Sequence, residues 1–305
     1  MSKVLEIKQL NIKGIFKNEE KAIVSDLNFT AEKGEKIAIV GESGCGKTMT
    51  ANSIFGLLPK NCIPCGEILL NGKDILKMKN NEIEALRGVE IVMIPSGAEF
   101  LNPVLKVQTQ MFESLERIGV KGKIAKTQIA LEALKKVGLE NASEILKMYP
   151  FMLSGGMAQK VVIAIASVSS PTLVIADELT KGIDGKTADA IVDTLEKTFS
   201  NAAIIIITHD ISLARKCDKT LVMYGGKIVE FGNSSEILKN PTHFYTKSLI
   251  DALPQNGLKI AEKINTYPEN GCPFVNYCEN ATVECSKQPP QLIEVDGKKV
   301  RCVNA

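Results

Sequence analysis

Residues 41–48 read GESGCGKT, and this stretch decides the fold of the chain. It fits the phosphate-loop pattern, in which two glycines with four residues between them are followed by Lys and a hydroxyl residue. The apolar run 36–40 (KIAIV) precedes it as a strand, and residues 49–58 continue as a helix. In such a strand–loop–helix segment, the backbone N–H groups of the loop and the N-terminus of the helix point at phosphate groups. The alternative is a glycine-rich turn with a chance Lys-Thr pair, and the two flanking elements argue against it.

The chemistry expected of this loop is phosphate and magnesium binding. The ammonium group of Lys47 would contact the β- and γ-phosphates, and the hydroxyl of Thr48 would ligate Mg²⁺. The predicted phosphate-binding residues are Gly41, Glu42, Ser43, Gly44, Cys45, Gly46, Lys47, Thr48 and Met49.

Composition excludes several classes of protein. The chain has 305 residues, enough for one large domain or two smaller ones. Its net charge is +2, with 37 Lys and Arg against 35 Asp and Glu, which does not favour nucleic acid as a partner. The N-terminus lacks the apolar core of a signal peptide, and the longest apolar runs are too short to cross a bilayer. We therefore expect a cytosolic, soluble or peripheral protein whose eight cysteines are thiols or metal ligands.

The hydrophobic pattern predicts an α/β fold. Residues 4–12 and 22–30 alternate like paired strands, and 67–70 followed by Asn71-Gly72 reads as a strand and a tight turn. Short β-rich runs typical of a buried parallel sheet occupy 173–176, 203–208 and 220–224.

Helical spacing appears in two regions. Within 103–148, apolar residues recur at helical intervals up to Gly138, a predicted helix C-cap, and this region is predicted to be a helical insert. Residues 161–169 form a second, apolar helix.

Two carboxylates end the predicted strand at 173–176. Asp177 at the end of a strand in a phosphate-loop protein is expected to help hold Mg²⁺, and Glu178 to act as general base toward water. His209 follows the strand 203–208 and would face the ligand crevice at the carboxyl edge of the sheet. The alternatives are two solvated acids in a turn and a hydrogen-bonded structural histidine.

A second anion-binding helix start lies at Ser154, Gly155 and Gly156, before the helix 157–169. Because the chain already has its own phosphate loop, a second such feature suggests that ATP is shared between two chains. An ordinary N-cap is the alternative.

The order GESGCGKT, LSGG (153–156), LVIADE (173–178), then His209 resembles the nucleotide-binding subunit of an ATP-binding-cassette (ABC) transporter, over residues 4–255. The resemblance implies a RecA-like phosphate-loop cassette with an antiparallel β subdomain and a helical insert at about 96–156. It also implies a dimer that sandwiches two ATP molecules, in which Ser154, Gly155 and Gly156 cap the γ-phosphate held by the other chain.

Further roles are carried over from the same resemblance. Lys47, Glu178 and His209 take the catalytic roles, with His209 as the switch histidine, and Asp177 binds Mg²⁺ with Thr48. Asp184 corresponds to the aspartate that signals across the dimer. Phe16 lies where the family stacks an aromatic ring on adenine, although a packed strand residue is an equal alternative.

Finer motifs resemble the oligopeptide, dipeptide and nickel importer ATPases: Met157 after LSGG, Leu86-Arg87-Gly88, Leu101-Asn102-Pro103 and the stretch 240–254. This branch implies peptide import, with nickel or a metal chelate as the alternative. It also implies a second ATPase subunit that is a different chain, two membrane permease subunits, an extracytoplasmic solute-binding protein and a peripheral location on the cytoplasmic face of the membrane.

Four late cysteines, Cys272, Cys278, Cys285 and Cys302, follow the pattern C-x5-C-x6-C-x16-C. Four cytosolic thiolates this close suit Zn²⁺ or an iron–sulfur cluster, and the spacing alone leaves both open, as well as unligated thiols. The resemblance implies a [4Fe–4S] cluster. We accordingly divide the chain into a cassette domain, 1–235, and a C-terminal extension, 236–305. Cys62 and Cys65 are interpreted as loop thiols.

One position departs from the family pattern. Counting back from Leu101-Asn102-Pro103 puts Pro95 where the family has a Gln that helps hold Mg²⁺ and water, and Pro offers no side-chain donor or acceptor. Lys181-Gly182 also replaces a usual pair of small residues. ATP hydrolysis is still expected, because Glu178 and His209 are present, but its rate at this chain's own phosphate loop is in question. A weakly hydrolysing regulatory subunit is therefore one alternative. A soluble cassette ATPase of DNA repair or translation is a further alternative, disfavoured because no sustained heptads separate Thr48 from Ser154.

Overall fold

The computed structural model of the chain describes residues 2–17, 19–96, 100–179, 185–253, 268 and 270–305. The chain divides into two compact units. The phosphate-loop unit comprises 5–30, 36–77 and 207–305, and the LSGG unit comprises 1–4, 31–35 and 78–206. Asp184 and Lys181-Gly182, which the sequence singled out, lie outside the described residues. The predicted division at residue 235 stays a prediction.

The elements alternate between strands and helices along the chain, as an α/β fold requires. The strands are β1 (Lys3–Phe16), β2 (Glu19–Glu32), β3 (Lys36–Val40), β4 (Cys62–Leu70), β5 (Lys73–Asp74), β6 (Ile91–Pro95), β7 (Leu173–Asp177), β8 (Ala203–Thr208), β9 (Lys219–Tyr224), β10 (Lys227–Asn233), β11 (Ile293–Val295) and β12 (Lys298–Val300). The helices are α1 (Lys47–Ile54), α2 (Asn80–Leu86), α3 (Val107–Arg117), α4 (Lys123–Lys136), α5 (Ala142–Ile145), α6 (Gly155–Ser167), α7 (Gly185–Thr198), α8 (Ser234–Lys239), α9 (Phe244–Asp251) and α10 (Val283–Lys287). Short 3₁₀ turns lie at Ile75–Lys77, Pro150–Met152, Ile211–Lys216 and Val275–Tyr277.

An antiparallel sheet in the phosphate-loop unit has the strand order β2-β1-β4-β5. The alternation of β1 buries Leu10 and Ile12 on one side of a bulge, and the β4–β5 hairpin turns at Asn71-Gly72 with φ values of 47° and 81°. The predicted pair of strands, β1 and β2, and the predicted tight turn at Asn71-Gly72 are confirmed. The interpretation of Cys62 and Cys65 as loop thiols is wrong, because both lie in β4, opposite β1.

The central strands of the phosphate-loop unit have the order β11-β12-β10-β9-β3. Strand β3 runs parallel to β9, from the pair Ile37–Lys219 to the pair Val40–Val222, and β10 is antiparallel to both β9 and β12. This arrangement places the phosphate loop at the carboxyl end of β3. Arg301, just after β12, is buried and donates to Asp26 Oδ2 at 2.8 Å and to the carbonyl oxygen of Ile228 at 2.9 Å.

The strands of the LSGG unit have the order β8-β7-β6, with β6 and β7 parallel and both largely buried. Helices α3, α4 and α5 fall within the predicted helical insert, and Gly138 follows α4 with φ 76°, as a C-cap glycine does. Strands β7, β8 and β9 match the predicted parallel-sheet segments. The α/β fold is confirmed.

Helix boundaries are where the sequence was less accurate. Helix α1 ends at Ile54, although the pattern predicted helix to residue 58, because Gly56 adopts φ 60°. Helix α6 begins at Gly155, earlier than the apolar run suggested. Among the described residues, no helix combines the length and the apolar character needed to span a bilayer.

Candidate active site

Close packing at Gly41 and backbone conformation at Gly46 account for two glycines of the phosphate loop. A Cβ on Gly41 would lie 2.3 Å from the carbonyl oxygen of Met223 and 2.8 Å from Cys45 Sγ, so no side chain fits there. Gly46, the residue before α1, has φ 104°, a conformation that L side chains rarely adopt. The loop therefore curls tightly against β9 before it enters α1, whose first N–H groups lack partners within the helix.

Lys47 lies inside this curl. Its side chain is only 6% exposed, and its Nζ donates to the carbonyl oxygens of Gly41 at 2.7 Å and of Glu42 at 2.8 Å. Ser43, Gly44 and Thr48 are exposed, Met49 is half-buried and Cys45 is buried. Lys47 and the exposed Thr48 are the first two residues of α1, and their roles at the phosphates and at Mg²⁺ stay predictions.

A contact that the sequence did not predict holds the loop from the other side. The backbone N–H of Glu42 donates to the hydroxyl oxygen of Tyr245 at 2.9 Å. Tyr245 lies in α9, and its ring is buried against Tyr224 with 4.4 Å between the ring centroids. No local signal links the two, because 203 positions separate them in the sequence.

His209 and Phe16 belong to the same unit as the phosphate loop. His209 is exposed and directly follows β8. The turn after it is fixed, because the carboxylate of Asp210 accepts a bond from Ser212 N–H at 2.8 Å. Phe16 ends β1 with 49% of its surface exposed. Their roles at the nucleotide stay predictions.

The two carboxylates lie in the LSGG unit. Asp177 ends β7 and pairs across the parallel ladder with Pro95, the last residue of β6. Glu178 follows with φ 52°, an uncommon conformation for a residue with a long side chain. Such outliers persist where the surrounding structure holds them, often at functional sites. Leu179, the next residue, is buried and anchors the turn.

The LSGG segment ends at the start of α6. The Ser154 side chain caps the helix by accepting a bond from Met157 N–H at 3.3 Å. Ser154 and Gly155 are exposed, and a Cβ on Gly155 would meet no atom of the described residues within 4 Å. A Cβ on Gly156 would lie 3.6 Å from Thr187 Cγ2, an ordinary van der Waals contact. Packing among the described residues therefore does not require the two glycines.

Gln159, which the sequence did not single out, links α6 to the Pro95 position. Its buried side chain donates from Nε2 to the carbonyl oxygen of Pro95 at 3.0 Å. The backbone carbonyl oxygen of Pro95 therefore accepts a hydrogen bond from a side chain of α6.

The four late cysteines, together with His243, line one small cavity of about 20 Å³ in the phosphate-loop unit. Cys272 and Cys285 are buried, and Cys278 and Cys302 are half-buried. Two sulfurs accept backbone hydrogen bonds at 3.4 Å, Cys285 from Thr282 N–H and Cys302 from Asn304 N–H. Across the described residues, however, no three His, Cys, Asp or Glu side chains form a group able to hold a metal ion as they stand.

His243 is a polar residue that lines this cavity. Its Nδ1 accepts a bond from Tyr245 N–H at 3.1 Å, and its Nε2 lies 3.9 Å from Cys272 Sγ. Burial lowers the pKa of His243 to about 4 and raises the pKa of Cys272 to about 11. The imidazole is therefore neutral at pH 7, and because Nδ1 is an acceptor, its hydrogen is on Nε2, facing the sulfur.

Comparison with known proteins gives the family. The model of the family described as ABC transporter matches residues 24–181, and that of the oligopeptide/dipeptide transporter C-terminal region matches residues 229–285. The dipeptide transport ATP-binding protein DppD of Bacillus subtilis is 37% identical over 99% of this chain and 95% of its own length. The oligopeptide transport ATP-binding protein OppD of Salmonella typhimurium is 37% identical over 94% of this chain and 89% of its own length.

Solved structures agree with the fold. The dimeric structure of MJ0796, a bacterial ABC transporter cassette, superposes with a TM-score of 0.66 at 25% identity, covering 75% of this chain and 98% of that chain. Its post-hydrolysis form bound to ADP and phosphate superposes with a TM-score of 0.67 at 25% identity, over the same shares of the two chains.

Proposed function

Because this chain belongs to the ABC transporter family, in the group of oligopeptide and dipeptide transport ATP-binding proteins, we propose that it hydrolyses ATP to energise peptide import through a membrane permease. The observation that carries the proposal is the strand–loop–helix of residues 36–54, with Lys47 held inside a curl that only glycines allow. The C-terminal region supports the peptide branch over other branches of the family.

The chain's own residues supply the parts of a phosphoryl-transfer site. The N–H groups at the start of α1 and the ammonium of Lys47 bind and neutralise phosphate oxygens. Thr48 and Asp177 offer hard oxygen ligands of the type that Mg²⁺ prefers, and the ion, when bound, withdraws charge from the phosphates. Glu178 would accept a proton from the attacking water, and His209 would contact the γ-phosphate.

The LSGG segment supports a dimeric mechanism. Ser154 and Gly155 are exposed, and no described residue fills the space beside Gly155, which supports the N-terminus of α6 as a site for an anion from outside the chain. We assign that anion to the triphosphate bound by a second ATPase subunit, which we propose to be a different chain. The assembly would include two permease subunits and an extracytoplasmic solute-binding protein, with this subunit on the cytoplasmic face of the membrane.

Cys272, Cys278, Cys285 and Cys302 are proposed to hold a [4Fe–4S] cluster, with Zn²⁺ as the alternative. The residues fit in their donor chemistry: four soft thiol ligands line one cavity, and backbone N–H groups already face two of the sulfurs. Zn²⁺ would bond all four sulfurs at about 2.3 Å, whereas in a cluster each cysteine would bond its own iron. When bound, the cluster would cross-link the four segments. To test this, iron, acid-labile sulfide and visible absorption are measured on protein purified without air. A colourless preparation that contains zinc would mean that the four cysteines bind Zn²⁺ and not a cluster.

Pro95 supports a second candidate, a subunit that turns over slowly while its partner ATPase hydrolyses faster. Substituting Pro95→Gln is expected to raise ATP hydrolysis at this site by about tenfold or more, because a side-chain amide near the water is restored. The rise should vanish when Glu178→Gln is combined with it. An unchanged rate in Pro95→Gln would remove this candidate's support.

The main proposal is tested in membranes. The full chain, expressed with its native partners, is expected to co-purify with two polytopic membrane proteins and a second ATPase, and to support ATP-dependent uptake of labelled di- and oligopeptides. Nickel or metal-chelate uptake without peptide uptake would transfer the assignment to the alternative substrate. Recovery only as a free soluble ATPase would refute the transport role.

A further inference from the structure

A path of polar contacts connects the phosphate loop to the cysteine cavity within the phosphate-loop unit. Glu42 N–H donates to the hydroxyl of Tyr245 at 2.9 Å, and Tyr245 N–H donates to His243 Nδ1 at 3.1 Å. His243 Nε2 lies 3.9 Å from Cys272 Sγ. Two residues, Tyr245 and His243, therefore stand between the loop and one of the four cysteines.

The path is buried from Tyr245 to Cys272, whereas Glu42 is half-buried. Tyr245, His243 and Cys272 are 5%, 2% and 8% exposed, so bulk water does not compete for the contacts among these three residues. Phe274, two residues after Cys272, packs against the Tyr245 ring with 5.4 Å between centroids. A displacement of the cysteine segment would consequently reach Tyr245 through packing as well as through His243.

Tyr245 acts on the peptide group that Lys47 also contacts. In the peptide group that joins Gly41 to Glu42, the N–H of Glu42 donates to Tyr245, and the carbonyl oxygen of Gly41 accepts a bond from Lys47 Nζ at 2.7 Å. Because a buried N–H that loses its partner is unfavourable, the hydroxyl of Tyr245 restricts how the first turn of the loop can move.

We propose that Tyr245 is a positioning residue for the phosphate loop. The position of Tyr245 depends in turn, through His243, on whether the four cysteines hold a bound group, so the affinity for nucleotide depends on that group as well. The first half stands on the hydrogen bond alone. The second half rests on the proposed function, since it requires that the cysteines hold a cluster or a metal ion.

The positioning role is tested with two matched tyrosines. Tyr245→Phe removes only the hydroxyl that Glu42 N–H contacts. Tyr277→Phe is the control, because the Tyr277 hydroxyl is buried, has no hydrogen-bond partner among the described residues, and its ring also packs on Phe274, at 5.8 Å.

We expect the dissociation constant of Mg-ATP for the full chain to rise by about three- to tenfold in Tyr245→Phe, the effect of one lost hydrogen bond, and by less than about twofold in Tyr277→Phe. Unchanged affinity in Tyr245→Phe, or equal losses in the two variants, would overturn the positioning role.

Coupling to the cysteines is tested by removing the bound group from the protein with an oxidant and a chelator. We expect removal to change the Mg-ATP dissociation constant of the unmodified chain by at least about fivefold, and to change that of Tyr245→Phe much less. The unmodified chain alone already decides whether coupling exists, so this arm does not depend on how well the variant folds. Equal changes in both proteins would overturn the route through Tyr245. A protein that contains no iron, sulfide or zinc would overturn the cluster and the coupling, while the comparison of the two tyrosines would still decide the positioning role.

Discussion

The ammonium nitrogen of Lys47 lies 2.7 Å from the carbonyl oxygen of Gly41, six residues earlier in the chain. The side chain of the loop's only lysine thus folds back on the loop's first residue and helps to hold the curl closed. The N–H donors of Lys47 all belong to one ammonium group on a flexible side chain. An incoming phosphate oxygen can therefore replace one of the loop carbonyl oxygens as a hydrogen-bond acceptor.

Lys47→Ala is expected to weaken Mg-ATP binding by roughly ten- to 150-fold, because charge-assisted hydrogen bonds to the nucleotide are lost. Equilibrium binding to the full chain measures this. Lys60→Ala removes an exposed lysine and serves as the control. If Lys47→Ala bound ATP as tightly as the control, the nucleotide would have to lie elsewhere.

Glu178→Gln is expected to lower ATP hydrolysis by roughly 100-fold or more while Mg-ATP affinity changes little, because the amide cannot accept a proton from water but keeps the shape of the side chain. Single-turnover hydrolysis and binding are measured on the same preparation, with the exposed Glu113→Gln as control. Peptide uptake that survived Glu178→Gln would mean that the partner ATPase drives transport.

Gly155→Ala separates folding from function in the LSGG segment. The added methyl meets no atom of the described part of the chain within 4 Å, so the unfolding free energy should change by less than about 0.5 kcal/mol. Hydrolysis by the assembled transporter should fall by about tenfold or more, because the methyl intrudes where the partner's triphosphate would lie. Full activity in a stable Gly155→Ala protein would contradict the shared-nucleotide mechanism.

Lys298→Met tests a buried ion pair beside the cysteine region. Lys298 donates to Glu230 Oε1 at 2.8 Å, and both side chains are almost fully buried. Removing the ammonium leaves the Glu230 carboxylate buried without its cation, at an expected cost of roughly 3–5 kcal/mol in unfolding free energy.

The neighbouring Lys299→Met is the control for this stability change, because Lys299 is exposed and its loss should cost less than about 0.5 kcal/mol. Urea unfolding of the two variants is compared. Similar midpoints for both would show that Glu230 is stabilised by the N–H groups of Thr242 and His243 alone.

The features that the sequence predicted well are those set by neighbouring residues. The curl at Gly41 and Gly46, the hairpin at Asn71-Gly72 and the C-cap at Gly138 each follow from a local backbone requirement that few residue types satisfy. Apolar runs likewise predicted the buried strands of the parallel sheet, which are confirmed.

The features that the sequence missed depend on distant parts of the chain. The bond between Glu42 and Tyr245 spans 203 positions, and the bond between Gln159 and Pro95 spans 64. No periodicity encodes such contacts, because they arise only once the strands are ordered. Cys62 and Cys65 were misplaced for the same reason: their segment becomes a strand by pairing with β1, not by its own alternation.

The contact of Arg301 with Asp26 spans 275 positions, so the early strand β2 gains this partner only after almost all of the chain has left the ribosome. At typical translation speeds of roughly 5–20 residues per second, that delay is on the order of 15–55 s. During this time strand β2 of the nascent chain lacks its contact with Arg301, whereas residues 78–206 emerge as one uninterrupted segment. Chaperones that shield exposed strand edges would accordingly matter most for the beginning of this polypeptide.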